Sequence, residues 1–187
     1  KKGGKNTGYM SAHCFEEAKF SKYRLNVARN LGESFWCIEE LKFFGADGGR
    51  LQTLPKNGRA QSSHPGSHGA DKAFNEISDN DHSYYCAAPG YPAGWLDYTF
   101  EKPVALGSYR IEALNEHSNM RFSPVAWTFA GSNNGKEWTI LDTQSGHNHW
   151  TTGEEKIFSV DPDSAKNAEN SFTVFYRGKL RSKTVKE

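Results

Sequence analysis

The chain has 187 residues, 23 of them basic and 22 acidic, so its formal charge is only +1. Nucleic-acid binders carry a clear basic excess, and this balance argues against that class. Hydrophobic residues make up 36% of the chain, but 12 Phe, 8 Tyr and 5 Trp each bury a large area, so a packed core is expected and disorder is not. No apolar run approaches the roughly 18 residues of a membrane span. No N-terminal stretch reads as a secretory signal, and the start at Lys1 reads as that of a processed or excised segment.

In chain order, a weak helix-like stretch at Ala12 to Phe20 precedes strand-like text at Tyr23 to Val27 and Cys37 to Phe44. The glycine-rich Gly45 to Gly49, Asn57-Gly58 and Pro65-Gly66 then mark turns, followed by a second short helix-like stretch at Ala70 to Phe74. After Pro89-Gly90 come strand patterns at Trp95 to Phe100, Ser108 to Ala113 and Ala126 to Ala130. The turn Asn133-Asn134-Gly135 leads to Trp138 to Leu141 and, last, Lys156 to Val160. Short strands separated by turn clusters predict an all-β sandwich or barrel. An α/β fold is excluded because no strand is followed by a long amphipathic helix. Trp95, Trp127 and Trp138 are expected in the core. Tyr23-Arg24 is echoed by Tyr176-Arg177 near the other end, at a separation about the size of one small domain.

Cys14, Cys37 and Cys86 include no C-x-x-C pair, which rules out a zinc ribbon or redox dithiol; one bridge or three reduced thiols both remain open. Nucleophile elbows, P-loops, H-E-x-x-H and dinucleotide fingerprints are absent from the sequence. His147-x-His149 lacks a third ligand at metal-binding spacing, and Asp79 with Asp81 lacks an acid–base partner. No enzyme is read from these residues.

The stretch Ser108 to Asp142 carries the most information. Arg121, Pro124 and Trp127 are followed by GSNNGKEW, Gly131 to Trp138, and then by Leu141-Asp142. This resembles the discoidin family of coagulation-factor C-type, galactose-binding-like domains, with Asn134 where the family has Asp. Ala60 to Ser63, Ala70 to Asn75, GWLDYTF at Gly94 to Phe100, Trp150 and Glu155 to Val160 match further family segments in order. The resemblance covers about Gly58 to Val160 and implies a jelly-roll β-sandwich. The family's final strands stand at the opposite end of the chain, as YRLNVARNLGESFWCIEELKFFG from Tyr23 to Gly45. Residues 1–46 are therefore read as a final-strand segment and 47–187 as the main body of a discoidin-like domain. Either the chain is circularly permuted, or it holds the tail of one tandem repeat and most of the next.

Function follows from the resemblance as expectation. Calcium-binding relatives hold the ion in a loop after the A-F-D-G text and complete it from the final strand. This implies a structural calcium site of Lys72, Asn75, Asp79 and Asp81 with Glu39 and Glu40, Asn75 standing where the family has Asp. Ligand loops at one end of the sandwich imply a carbohydrate site of His82, Tyr84, Tyr85, Asn115, His117 and Arg121, with His149 and Trp150 as another wall. A structural role for Arg121 is the competing reading. The expected protein is a non-enzymatic, extracellular or secreted lectin-like module, whose partners are glycans or glycoproteins and, in an array, neighbouring repeats or copies of itself. The alternative is a structural or protein–protein interaction module in a larger assembly. Anionic-lipid binding ranks last, because the tips near Tyr91-Pro92 and His147 to His149 are neither strongly apolar nor basic.

Overall fold

A computed structural model describes residues 18–53, 58–78, 82–115 and 120–160, together with the backbone of 175–176 and 179–180. The strands are β1 (Phe20–Asn30), β2 (Cys37–Ile38), β3 (Glu40–Phe44), β4 (Arg50–Leu51), β5 (Gly58–Ser62) and β6 (Tyr85–Cys86). They continue with β7 (Gly94–Val104), β8 (Ser108–Glu112), β9 (Pro124–Ser132), β10 (Thr139–Gln144) and β11 (Glu155–Ser159). A separate antiparallel pair joins β12 (Phe175–Tyr176) to β13 (Lys179–Leu180), on the stretch that echoes β1. The helix-like text at Ala70–Phe74 is a 3-10 turn, and a second such turn covers Met120–Phe122. Most of the Ala12 to Phe20 stretch, and Cys14 within it, lies outside the described residues.

Two antiparallel sheets account for the fold. The larger runs β10-β9-β1-β7-β5 and the smaller β11-β8-β3-β4, while β2 and β6 form a ribbon of their own. β1 lies between β7 and β9, and β3 between β4 and β8, so these two strands from the start of the described chain occupy interior positions, one in each sheet. Period-two alternation explains the layers. Along β1, Tyr23, Leu25 and Val27 are buried while Asn26 is exposed. Leu41 and Phe43 of β3, Tyr109 and Ile111 of β8, and Leu96, Tyr98 and Phe100 of β7 are likewise buried.

The two sheets meet through rings. Phe43, from the smaller sheet, lies 6.0 Å from Tyr23, 6.0 Å from Tyr98, 5.6 Å from Phe100 and 6.2 Å from Phe129, all from the larger sheet. Several of the buried rings with polar tips find partners inside. The Tyr23 hydroxyl donates to the Val104 carbonyl at 2.6 Å, and Trp150 Nε1 to the Pro124 carbonyl at 2.9 Å. Trp127 Nε1 donates to the Tyr109 hydroxyl at 2.7 Å, which in turn donates to Asp142 Oδ2 at 2.6 Å. Each bond removes the cost of burying a polar group without a partner.

Of the three strand tryptophans expected in the core, only Trp127 is there. Trp95 and Trp138 are half-buried and flank the Arg24 guanidinium, at 4.1 and 4.0 Å from their ring centroids. Arg24 Nε and Nη2 also donate to the buried Asp97 at 2.6 and 2.7 Å. The physical reason is strand parity. Trp95 shares its face with Asp97, and Arg24 stands opposite Asp97 in the β1–β7 register, so a cation–π sandwich forms on the face turned from the core.

Candidate functional site

The β2–β6 ribbon pairs Cys37 with Cys86 and Ile38 with Tyr85, and a disulfide joins the two cysteines. Alternation again sorts its side chains. Trp36, Ile38 and Tyr85 are wholly buried in the core, with Trp36 and Tyr85 rings 5.0 Å apart. Phe35, Cys37, Tyr84 and Cys86 have the opposite parity and line a cleft of about 460 Å³. This volume falls in the range of small-molecule sites.

A loop from Ser63 to Gly69 closes one side. The Gly66 amide donates to the Cys86 carbonyl at 3.1 Å, and the Cys86 amide to the His68 carbonyl at 3.4 Å. Gly66 is required by this close approach, because a Cβ there would sit 2.7 Å from the Cys86 carbonyl oxygen. The loop thereby carries Ser67 and His68 into the lining. His68 stacks on Tyr84 with centroids 4.4 Å apart, and its Nδ1 lies 3.3 Å from the His82 carbonyl. A carbonyl can only accept, so Nδ1 is the donor in that contact. Another part of the lining is apolar, with Phe122 4.8 Å from Phe35 and Leu114 beside them.

The expected carbohydrate residues are spread more widely than one site. Tyr84 lines the cleft, and the backbone of His82 anchors His68. Arg121 precedes the lining residue Phe122, but its Nη2 donates to the Gly32 carbonyl at 3.3 Å and its Nε lies 3.6 Å from Glu33. Tyr85 points into the core, and Trp150 is buried with its indole N–H bound to Pro124. His149 is exposed, and its carbonyl accepts from Lys156 Nζ. Asn115 binds two carboxylates: its backbone N–H donates to Glu39 Oε2 and its Nδ2 to Glu112 Oε1, both at 3.0 Å. His117 lies outside the described residues.

The residues expected to hold calcium are only partly described, since Asp79 and Asp81 lie outside the described residues. Lys72 sits in the first 3-10 turn, its amide donating to Gly69 at 3.1 Å. Asn75 is engaged locally, with Nδ2 donating to Ser83 Oγ at 2.6 Å and Oδ1 accepting from the Ile77 amide at 2.9 Å. Glu40, which opens β3, and Glu39 just before it are both 0% exposed. Neither oxygen of Glu40 is held by a well-formed hydrogen bond. Burial pushes its carboxyl up to about 8, against smaller relief from Lys42, Arg50 and the Ile77 amide. Lys42 is committed elsewhere, its Nζ bound to Glu112 at 2.6 Å and to Glu155. Among the described residues no group of three or more histidine, cysteine, aspartate or glutamate side chains could hold a metal ion.

Sequence reasoning missed Phe35, His68 and Phe122, and left open the bridge that joins Cys37 to Cys86. One signal was present: Phe35-Trp36-Cys37 and Tyr84-Tyr85-Cys86 are matching aromatic–aromatic–cysteine triplets. Two such triplets suit a paired ribbon whose central ring points inward while the outer ring and the sulfur point the other way. Nothing local distinguishes His68 from the other loop histidines. Comparisons with protein-family models, with curated proteins and with solved structures find no match.

Proposed function

We propose that this chain is a non-enzymatic carbohydrate-binding module with a discoidin-like jelly-roll sandwich, and that the cleft beside the Cys37–Cys86 disulfide seats the saccharide. The observation that carries this reading is the cleft itself, where the rings of Phe35, Tyr84 and Phe122 stand beside the polar groups of Ser67 and His68. Sugar C–H faces pack on aromatic surfaces, while a few placed donors and acceptors orient the hydroxyls. The order of the family-like text supports the fold assignment, since Pro124 opens β9, the GSNNGKEW stretch makes the β9–β10 connection and Leu141-Asp142 lies on β10. A disulfide favours an oxidising, extracellular setting, and no helix among the described residues is long and apolar enough to cross a membrane.

A structural calcium ion belongs to the same reading. A wholly buried carboxylate without a well-formed hydrogen bond is costly, and a hard divalent cation would offset that cost. Glu40, the Glu39 carbonyl and the loop through Lys72, Asn75, Asp79 and Asp81 would hold it. Saturating calcium should then raise the melting temperature by about 5–10 °C, as expected for a ligand at a hundred times its Kd. Glu40→Gln should abolish the calcium response. An equal rise in both proteins would remove Glu40 from the site.

The reading is tested by a glycan-array profile of the folded chain, taken with calcium and again with chelator. Binding to a defined terminal sugar, weakened by Phe122→Ala, is the expected result. Silence on both arrays from a chain shown to be folded would overturn it in favour of a structural module.

A further inference from the structure

The connection between β9 and β10 carries an Asn-Gly pair, Asn134-Gly135, and Asn134 is exposed. Its side chain is folded forward along the chain, because Oδ1 accepts from the amides of Lys136 at 2.8 Å and Glu137 at 2.9 Å. The Ser132 hydroxyl lies 3.3 Å from the same oxygen. Asn134 Nδ2 donates to Glu137 Oε2 at 3.1 Å, and the Gly135 amide donates to Ser132 Oγ at 2.9 Å. Gly135 itself has φ +70°, a conformation that favours glycine, and it has no side chain to shield its nitrogen.

These contacts match the demands of cyclisation at an asparagine. The nitrogen of the next residue adds to the side-chain amide carbon, negative charge gathers on Oδ1, and the amine leaves carrying an extra proton. In this turn two backbone N–H groups point at Oδ1, as donors do toward an oxyanion. The Glu137 carboxylate stands against the nitrogen that must gain positive charge, and Ser132 Oγ accepts from the attacking N–H. We propose that Asn134 is a self-modifying residue, whose amide the folded turn converts to a carboxylate. The bond from Gly135 N to Asn134 Cγ forms, and the Gly135 proton passes to solvent. Nδ2 takes a proton from solvent, its bond to Cγ breaks, and it leaves as ammonia. One water then opens the cyclic imide. Cleavage at Cγ gives aspartate, and cleavage at the main-chain carbonyl gives the β-linked isomer. Nothing is oxidised or reduced: one water is consumed and one ammonia released.

Either product lowers the formal charge from +1 to zero. The new carboxylate forms at a turn that Lys22 covers, its Nζ lying 3.7 Å from where a Gly135 Cβ would stand. The β-linked product also lengthens the connection by one carbon. On one side of it Asn133 holds the Ser21 amide and the Lys19 carbonyl, and on the other Trp138 covers Arg24.

The test incubates the full chain near neutral pH, folded and again held unfolded in denaturant, and follows Asn134 by peptide mapping with mass spectrometry. In the unfolded sample the second Asn-Gly pair of the sequence, Asn57-Gly58, reports the reaction of such a pair without a turn around it. Asn134 should react about fivefold or more faster in the folded chain than either pair does in the unfolded one, a small share of what preorganised groups give in an enclosed site. Glu137→Gln, at an exposed position, should slow the folded chain about threefold, the size of a charge contact open to water, and leave the unfolded rate unchanged. A folded rate equal to or below the unfolded one would overturn the proposal, since the turn would then hold the amide away from reaction. A folded rate that Glu137→Gln leaves unmoved would overturn the part given to that carboxylate.

Discussion

The interior between the sheets and the cleft at the β2–β6 ribbon are both built from aromatic rings, yet they are resolved in opposite ways. In the interior, Tyr109, Phe129, Tyr23 and Phe43 pack on one another, and each polar tip among them finds a protein partner. In the cleft, Phe35, Phe122, Tyr84 and His68 pair two by two and leave about 460 Å³ between the walls. Aromatic content alone therefore says nothing about role. A ring closed on all sides with its polar atom satisfied holds the fold together, whereas the rings that border the cleft are the ones proposed to meet a ligand.

The contrast can be broken most forcefully in the interior. Phe43→Ala removes the ring on which the larger sheet closes and should cost about 3–5 kcal/mol, read as a lower denaturant midpoint. Replacing both Cys37 and Cys86 by serine should cost about 3–4 kcal/mol, because the bridge spans 49 residues of chain. The two changes should separate in a second readout. The serine pair, at physiological temperature, should retain the far-UV spectrum of the sandwich while losing saccharide affinity, since only the ribbon and the cleft floor depend on the bridge. Equal loss of both signals would mean that ribbon and sandwich fold as one unit.

A finer probe is Tyr109→Phe, which keeps the ring and deletes the hydroxyl between Trp127 and Asp142. It should cost about 1–3 kcal/mol, because the Trp127 indole N–H is then buried without its acceptor. A neutral effect on thermal melting would show that the network repacks. The smallest expected effect concerns His147, whose ring lies 4.7 Å from Trp127 with Nε2 3.0 Å from Gln144 Oε1. Partial burial, and then the charge of Lys156, lower its pKa against an opposing pull from Asp142. A histidine with a lowered folded pKa takes up more protons when unfolded, so its contribution is complete above the ordinary histidine range and is lost as pH falls through it. His147→Gln should flatten that part of the stability profile between about pH 7 and 5. An unchanged slope would assign the acid sensitivity to other groups.

Much of the fold was legible because alternation is a physical signal. Tyr23, Leu25 and Val27 against Arg24 and Asn26 define both β1 and its buried face, and Leu96, Tyr98 and Phe100 do the same for β7. The same parity places Trp95 beside Asp97, so the expectation that it would be core set residue type above position. β5, in GRAQS, carries no aromatic or β-branched residue and is held by its pairing with β7. The site was less legible. Ser67, Tyr84 and Phe122 are far apart in sequence, and only the Gly66 approach, the ribbon and the second 3-10 turn bring them to one cleft. Arg121 illustrates the reverse: a residue type suited to sugar hydroxyls is directed by neighbouring backbone to Gly32 and Glu33.

The central claim is that the cleft beside the disulfide is the ligand seat. Amide chemical-shift mapping during titration with the tightest saccharide from the array tests it most directly. The account predicts that the largest shifts fall on Ser67, His68, Tyr84, Ala87 and Phe122, with β1 and β9 nearly still. Shifts centred instead on Trp95, Arg24 and Trp138, or on the exposed segment around His149, would contradict it.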